Sequence, residues 1–290
     1  MGIISGLFSM FGWGVADFLA AKASRKIGYI LTLFWMQTIG LLVAIIYFLA
    51  KFQSFNMGGI IKFLPTFIII GFLQIVGYLA FYRGLEKGQV SLVSPIGASW
   101  AIITVILSVI FFKEPLLKNQ IVSIILIILG IILVSTNFQE PLKIRRLKTF
   151  SGISGTKEGL IAMFGWGISL FLIVPAVKTL GWFLPIFLFR VFMILFLGSF
   201  IFFSKRSFKI SPRLPLLVIL VPIGFLDIGA FFVYSFGVSK AYSSIVAPIA
   251  AAFPLITILL AKIFLKEKIV LNQIFGIAAI LCGLILISIT

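Results

Sequence analysis

The chain has 290 residues, of which 62% are hydrophobic and 11% charged; soluble globules have about 45–50% apolar and about 25% charged residues, so a water-soluble fold is excluded and a bilayer implied. Lys and Arg outnumber Asp and Glu by 24 to 7, for a net charge of +17, but the basic residues fall mostly between apolar runs, where phospholipid headgroups and not nucleic acid are the expected partners. A single cysteine, Cys282, permits no intramolecular disulfide, and the lack of histidine removes the commonest metal ligand and proton shuttle, so no cofactor and no metal are expected.

A bilayer-crossing helix needs about 20 mainly apolar residues. That window predicts ten, over 3–21, 29–50, 65–84, 90–112, 118–137, 158–178, 182–203, 214–237, 243–264 and 270–289. Ala21-Lys22-Ala23 resembles a signal-peptide cleavage site. However, no Lys or Arg precedes the first apolar run and the same block recurs internally, so this segment is expected to stay as a helix. Connections are short except for 138–157, where Glu140-Pro141, a basic run from Lys143 to Lys148, and Ser151-Gly152 to Gly155-Thr156 break all periodicity. This divides the chain into a five-helix unit, 1–137, a linker, 138–157, and a second five-helix unit, 158–290.

The two units are copies. Ser91 to Ser135 returns 153 residues later as Ser244 to Ser288 without a gap, pairing Pro95 with Pro248, Thr104 with Thr257, Lys113-Glu114 with Lys266-Glu267, Asn119-Gln120 with Asn272-Gln273 and Gly130 with Gly283. The first helices match at the same offset, GLFSMFGWGVADFLAAKASRKIG (Gly6 to Gly28) against GLIAMFGWGISLFLIVPAVKTLG (Gly159 to Gly181). Five helices is an odd number, so the second copy enters the membrane from the opposite side, giving an inverted repeat about a pseudo-two-fold axis in the membrane plane.

Gly-Trp-Gly in each first helix, and the order Pro, Lys-Glu, Asn-Gln, Gly across helices 4 to 5 and 9 to 10, make the chain resemble the EamA-type branch of the drug/metabolite transporter superfamily over nearly its whole length. The resemblance implies an all-α integral membrane protein of ten helices around a central cavity, alternating access, and both termini in the cytoplasm. It leaves the substrate open among amino acids, sugars, nucleotide sugars, phosphorylated metabolites and drugs. Loop charge points the other way on orientation. A cytoplasmic N-terminus would put six basic residues in the inside loops (Lys51, Lys62, Lys113, Lys118, Lys178, Lys240) and seventeen outside, so the positive-inside rule favours an N-terminus outside.

Ionisable groups in apolar runs cost about 2.5–3.5 kcal/mol at a helix centre, which makes them the sharpest functional signals. Asp227 lies in helix 8, where it holds two helices together or binds substrate or a proton. Arg190 in helix 7 either neutralises Asp227 or receives a substrate carboxylate or phosphate. Asp17 shares a face with Trp13, four residues earlier, and serves the cavity or sits at the interface beside Lys22. Across the repeat Asp17 matches Leu170, Gln74 matches Asp227 and Gln37 matches Arg190, so the scaffold is symmetric while the charges are not. Trp13 and Trp166 occupy matching positions, as packing residues, anchors or flat cavity walls. Pro95, Pro248 and Pro254 are expected to bend helices 4 and 9.

Glu114 and Glu267 are expected at the N-termini of helices 5 and 10, as structural carboxylates favoured by the helix dipole. Ser123 with Gly130, and Gly276 with Gly283, make small-residue faces for close packing within the chain or with a partner, leaving a monomer or a homodimer open. Arg83 and Glu86 are spaced to pair. The expected function is secondary transport of a small polar or amphipathic metabolite by alternating access, with a proton as coupling ion through Asp227 or Asp17. A flippase for a lipid or lipid-linked sugar is the alternative. An intramembrane enzyme is disfavoured, because the acids are scattered and GISGTKEG (Gly152 to Gly159) does not have phosphate-loop spacing.

Overall fold

A computed structural model of the chain describes residues 1–55, 57–87, 90–135, 155–205, 214–265 and 270–289. Lys266, Glu267 and nearly all of the 138–157 linker lie outside the described residues. The first half comprises α1 (Gly2–Ile27), α2 (Tyr29–Ala50), α3 (Ile60–Lys87), α4 (Val90–Ala98), α5 (Trp100–Phe112) and α6 (Lys118–Ser135). The second comprises α7 (Thr156–Leu172), α8 (Val174–Leu180), α9 (Leu184–Phe203), α10 (Leu214–Lys240), α11 (Ser243–Ala251), α12 (Pro254–Leu265) and α13 (Leu271–Ser288). With α4–α5, α7–α8 and α11–α12 each forming one interrupted span, these are the ten predicted helices. Eight segments are long and apolar enough to cross a bilayer, and the apolar stretches Ile96–Phe112 and Lys118–Leu133 complete the set.

The repeat is visible in the turns. Gly28 ends α1 and Gly181 ends α8, both at φ +81°, a conformation that costs other residues a Cβ clash. Their N–H groups bond back to Ser24 O at 2.8 Å and Val177 O at 3.1 Å, again matching positions. The halves differ just before this turn. Lys22 leaves α1 unbroken, whereas its counterpart Pro175 cannot donate to the preceding turn, so the span predicted over 158–178 loses a helical bond between α7 and α8; Ile173 keeps helical backbone, and the bonds from Ile173 N to Ser169 O (3.1 Å) and Val177 N to Ile173 O (2.9 Å) carry the helix on.

The halves interlock and do not sit side by side. α1 packs along α10, and its counterpart α7 along α3; α6 packs along its own counterpart α13. In the last pair Gly130 abuts the backbone of Gly276, and Gly283 abuts Ile127 and the Ser123 carbonyl. The two small-residue faces therefore cover each other within one chain, where backbones can approach closely. Large apolar side chains such as Ile46, Leu49, Ile61, Phe72 and Ile110 remain exposed on the outside, as a lipid-facing surface requires.

The repeated Asn-Gln has a local use. Gln120 Oε1 accepts from Leu117 N at 3.0 Å and Gln273 Oε1 from Val270 N at 3.1 Å, tying the chain into the starts of α6 and α13.

Candidate functional site

Each interrupted span places a ring on a central cavity. Pro95 lies inside α4 and Pro248 inside α11, four residues before the breaks at Ser99 and Ala252, where the backbone continues through tighter bonds such as Ser99 N to Ile96 O (3.2 Å) and Ala252 N to Ile249 O (3.2 Å). The residues just past the breaks, Trp100 and Phe253, are counterparts and both line the cavity. Pro254 differs from its expected role: it is the first residue of α12, where its missing N–H costs nothing, and so it starts a helix and does not bend one.

The Gly-Trp-Gly blocks fit against these breaks. A Cβ on Gly14 would come within 2.8 Å of the Phe253 carbonyl, and one on Gly167 within 2.8 Å of the Trp100 carbonyl, so only glycine permits the approach. Each contact is fastened by the repeated threonine of the opposite half. Thr257 Oγ1 donates to Gly14 O at 3.1 Å and Thr104 Oγ1 to Gly167 O at 3.0 Å. The tryptophans between the glycines thereby face each other's half, with Trp13 against Phe231 at 5.0 Å and Trp166 against Tyr78 at 5.1 Å. Phe231 and Tyr78 are again counterparts, one phenolic oxygen apart.

The cavity lined by Trp13, Asp17, Gln74 and Tyr78 on one side meets Trp166, Leu170 and Phe231 on the other, and Trp100 and Phe253 complete the wall. Space open to water there is about 30 Å³, room for about two or three water molecules. Its carboxylate and amide come from the first half alone; the second half supplies rings and Leu170. Asp17 is buried and has no cation within salt-bridge distance among the described residues. Among the described residues it accepts a long 3.5 Å bond from Tyr82 OH, which lies closer, at 3.1 Å, to Met36 Sδ. It is not at the interface beside Lys22, whose ammonium sits over the Phe18 ring at 5.3 Å. Gln74 donates Nε2 to Ser169 Oγ at 2.9 Å. Gln74 Oε1 and both indole Nε1–H groups, of Trp13 and Trp166, are buried without a protein partner; in a folded interior such groups are ordinarily bonded.

Arg190, Asp227 and Gln37 form a separate cluster that is not on the cavity wall. Arg190 Nη2 donates to Asp227 Oδ2 at 2.7 Å, and Nη1 to Gln37 Oε1 at 2.7 Å. Gln37 and Arg190 are counterparts at the repeat offset, so their bond lies across the pseudo-two-fold axis. Tyr78 OH donates to Asp227 Oδ1 at 2.8 Å, and the guanidinium lies over Phe231 at 5.3 Å. Arg190 is wholly buried. It neutralises Asp227 as a fixed pair, and the same two rings that line the cavity, Tyr78 and Phe231, hold the pair in place.

Two expected contacts resolve otherwise. Glu114 does not cap its own following helix α6; it reaches across to α11, accepting from Ser243 N at 3.1 Å, Ser243 Oγ at 2.9 Å and Ser244 N at 2.9 Å. The dipole argument holds for a helix of the other half. Arg83 does not pair with Glu86. It lies 3.9 Å from Glu158, across the halves, while Glu86 accepts from Tyr29 N at 3.1 Å. Tyr78, Tyr82, Trp100, Phe231 and Phe253 were not singled out from sequence. The spacing of Gln74, Tyr78 and Tyr82, four apart on one face of α3, was the available signal.

The profile of the EamA-like transporter family matches residues 1–136 and 154–289. An uncharacterized protein of Methanocaldococcus jannaschii is 35% identical over 133 residues, which make up 46% of this chain and 95% of that protein, about the length of one five-helix repeat. An uncharacterized transporter of Archaeoglobus fulgidus is 23% identical over 213 residues, covering 73% of this chain and 71% of its own. A solved structure, titled only as the crystal structure of a protein, superposes with a TM-score of 0.78 over 99% of this chain and 96% of that one. At 13% identity this last likeness speaks for the fold alone.

Proposed function

The chain belongs to the EamA-like transporter family, and from that premise we propose that this multi-pass membrane protein is a secondary active transporter of a small polar or amphipathic metabolite, working by alternating access with a proton exchanged at Asp17. The units 1–137 and 158–290 are the moving parts in this reading, with 138–157 joining them. The observation that carries it is Asp17: a buried carboxylate, without a paired cation among the described residues, on a cavity formed where two inverted halves meet. A transporter of this kind needs a group that accepts either substrate or coupling ion and can be presented to each side in turn. Asp227 does not suit that task, since its charge is already matched by Arg190 at 2.7 Å.

The contacts at the two ends of the bundle serve as closures. At the end holding the N-terminus, Glu114 clasps Ser243 and Ser244, and Lys178 Nζ donates to Ala241 O at 3.1 Å. At the opposite end Arg83 approaches Glu158. Opening toward either side breaks one set and keeps the other, and the bond between Gln37 and Arg190 on the axis is the natural pivot.

Flux of cationic, zwitterionic, anionic and neutral solutes into proteoliposomes under an imposed pH gradient tests this reading. Wild type accumulates at least one solute class, and Asp17→Asn loses the gradient-driven accumulation while its thermal unfolding stays near that of wild type. Accumulation unchanged in Asp17→Asn removes the coupling role from Asp17, and no flux of any solute in wild type overturns the transporter reading itself.

A further inference from the structure

Resting on the transport reading, we propose that the cavity selects a small organic cation, an amine or methylated ammonium carrying one hydrogen-bond acceptor, with its positive head among Trp13, Trp100, Trp166 and Phe231 and facing Asp17. Three independent features point to this chemistry.

Charge comes first. Arg190 and Asp227 cancel each other off the cavity wall, which leaves Asp17 as the charged residue that lines it among the described residues. When Asp17 is ionised, an anionic solute would bring a second negative charge beside a buried carboxylate that has no cation within salt-bridge distance among the described residues, which a low-dielectric site penalises heavily. A cation supplies the missing partner.

The rings come second. Trp13 stands edge-on to Trp100 with centroids 6.2 Å apart and to Phe231 at 5.0 Å, and Trp166 stands edge-on to Tyr78 at 5.1 Å. Such perpendicular arrangements enclose a space with aromatic surfaces from several directions. Ring faces attract a desolvated cation, most strongly when tryptophan supplies them. Phe231 already does this on the Arg190 guanidinium at 5.3 Å, which shows the ring system used for a cation inside this same fold.

The third feature is the set of orphan polar atoms. Trp13 Nε1 and Trp166 Nε1 are buried donors without partners, and Gln74 Oε1 is a buried acceptor without one, all on cavity-lining residues. A solute with an acceptor group satisfies an indole N–H, and an ammonium N–H or a hydroxyl satisfies Gln74. A purely hydrocarbon solute would leave all three unmatched.

The carboxylate takes either the cation or a proton, so the two compete for the site and exchange across the membrane one for one. The titratable or charged groups facing Asp17 are Tyr78 and Tyr82 on α3 and Asp227 on α10, the last held by Arg190 and by Tyr78 OH. Of the two carboxyl groups among them, Asp17 is the one that is outside an ion pair and lines the cavity.

Three solutes with the same branched head and different charge decide the matter on the purified full-length protein: choline, its uncharged isostere 3,3-dimethylbutan-1-ol, and zwitterionic glycine betaine. Water-accessible space at the site is only about 30 Å³, so the rings must spread to admit the head, and tryptophan emission reads that movement. Choline is expected to bind saturably, with the isostere and betaine weaker by about tenfold or more, the scale of a desolvated cation–ring contact with its counter-charge. Lowering the pH competes with choline in wild type; Asp17→Asn weakens choline by about tenfold or more and abolishes the competition, and Asp17→Glu restores part of both. Equal binding of the isostere or of betaine, unchanged binding in Asp17→Asn, or no saturable choline binding to folded wild-type protein overturns the proposal. Flux is read separately in proteoliposomes. Choline binding without any flux overturns the transport reading and leaves the cation site standing, whereas Asp17-independent flux of an anion overturns the cation site and leaves transport standing.

Discussion

The first half of the chain carries Asp17, Gln74 and Tyr78 where the second half, at the matching positions, carries Leu170, Asp227 and Phe231. Of these six, only Asp227 is off the cavity wall, and it is the one whose charge is consumed by a neighbour. The residues that the halves share, by contrast, are joints. Thr104 and Thr257 fasten the Gly-Trp-Gly blocks, Gln120 and Gln273 bond at the starts of α6 and α13, and Gly130 and Gly283 let those two helices touch. What repeats builds the frame, and what fails to repeat makes the cavity polar on one wall and apolar on the other.

The largest way to break this comparison is to uncover the charge that lies off the cavity wall. Arg190→Ala strands Asp227 in the interior and is expected to cost about 3–5 kcal/mol, the range for removing one partner of a buried pair. It should be read as a large drop in unfolding temperature or failure to accumulate folded protein. Replacing both members by apolar residues, Arg190→Met with Asp227→Leu, should recover much of the loss, since the desolvation cost of both charges goes with them. A double variant no more stable than the single one would mean that the pair holds the helices by more than charge neutrality.

A smaller effect makes the two walls more alike. Tyr78→Phe gives the first half the residue already present at Phe231 and removes the bond from Tyr78 OH to Asp227 Oδ1. A hydrogen bond to a charged group is worth about 1.5–3 kcal/mol, so a stability loss near the low end is expected, with solute affinity altered far less than by Asp17→Asn. Affinity falling as far as in Asp17→Asn would place the Tyr78 hydroxyl among the groups that contact the solute.

The smallest effects test the joints. Thr104→Val and Thr257→Val each remove one interhelical bond of about 0.6 kcal/mol, up to about 1.7 kcal/mol. Because the two bonds are equivalent under the repeat, the two losses should match in chemical denaturation, and they should add in the double variant because the sites share no partner. Clearly unequal losses would show that the halves are not mechanically equivalent.

Much of the frame was legible in the chain. The ten spans follow from hydropathy, and the 153-residue offset with an odd helix count leads directly to an inverted repeat. Asp17, Gln74, Trp13 and Trp166 stood out as charged, polar or duplicated residues in apolar runs, and all four line the cavity. The separation of Asp17 from Asp227 was not legible. In the sequence Asp227 stands near the middle of its apolar run and Asp17 nearer the end of its own, which points to Asp227; the Arg190 guanidinium 2.7 Å from Asp227 reverses that order. Pro175, the counterpart of Lys22, marks the junction of α7 and α8 by residue type alone, since proline cannot donate to the preceding turn. The partners of Glu114 and Arg83 were misplaced for one reason: helix spacing ranks neighbours within a segment, and both side chains reach the opposite half.

By itself, then, the sequence determined that the chain belongs in a bilayer, how many times it crosses, and that its second half inverts its first, because backbone hydrogen bonding and hydrophobic length act locally along the chain. Tertiary structure decided which carboxylate stays uncompensated, which rings surround it, and which repeated residues fasten one half to the other. Those depend on the interlocking of α1 with α10 and α7 with α3, which sets groups far apart in the chain within bonding distance, as Ser9 Oγ is to Ala230 O at 3.0 Å and Gln74 Nε2 to Ser169 Oγ at 2.9 Å.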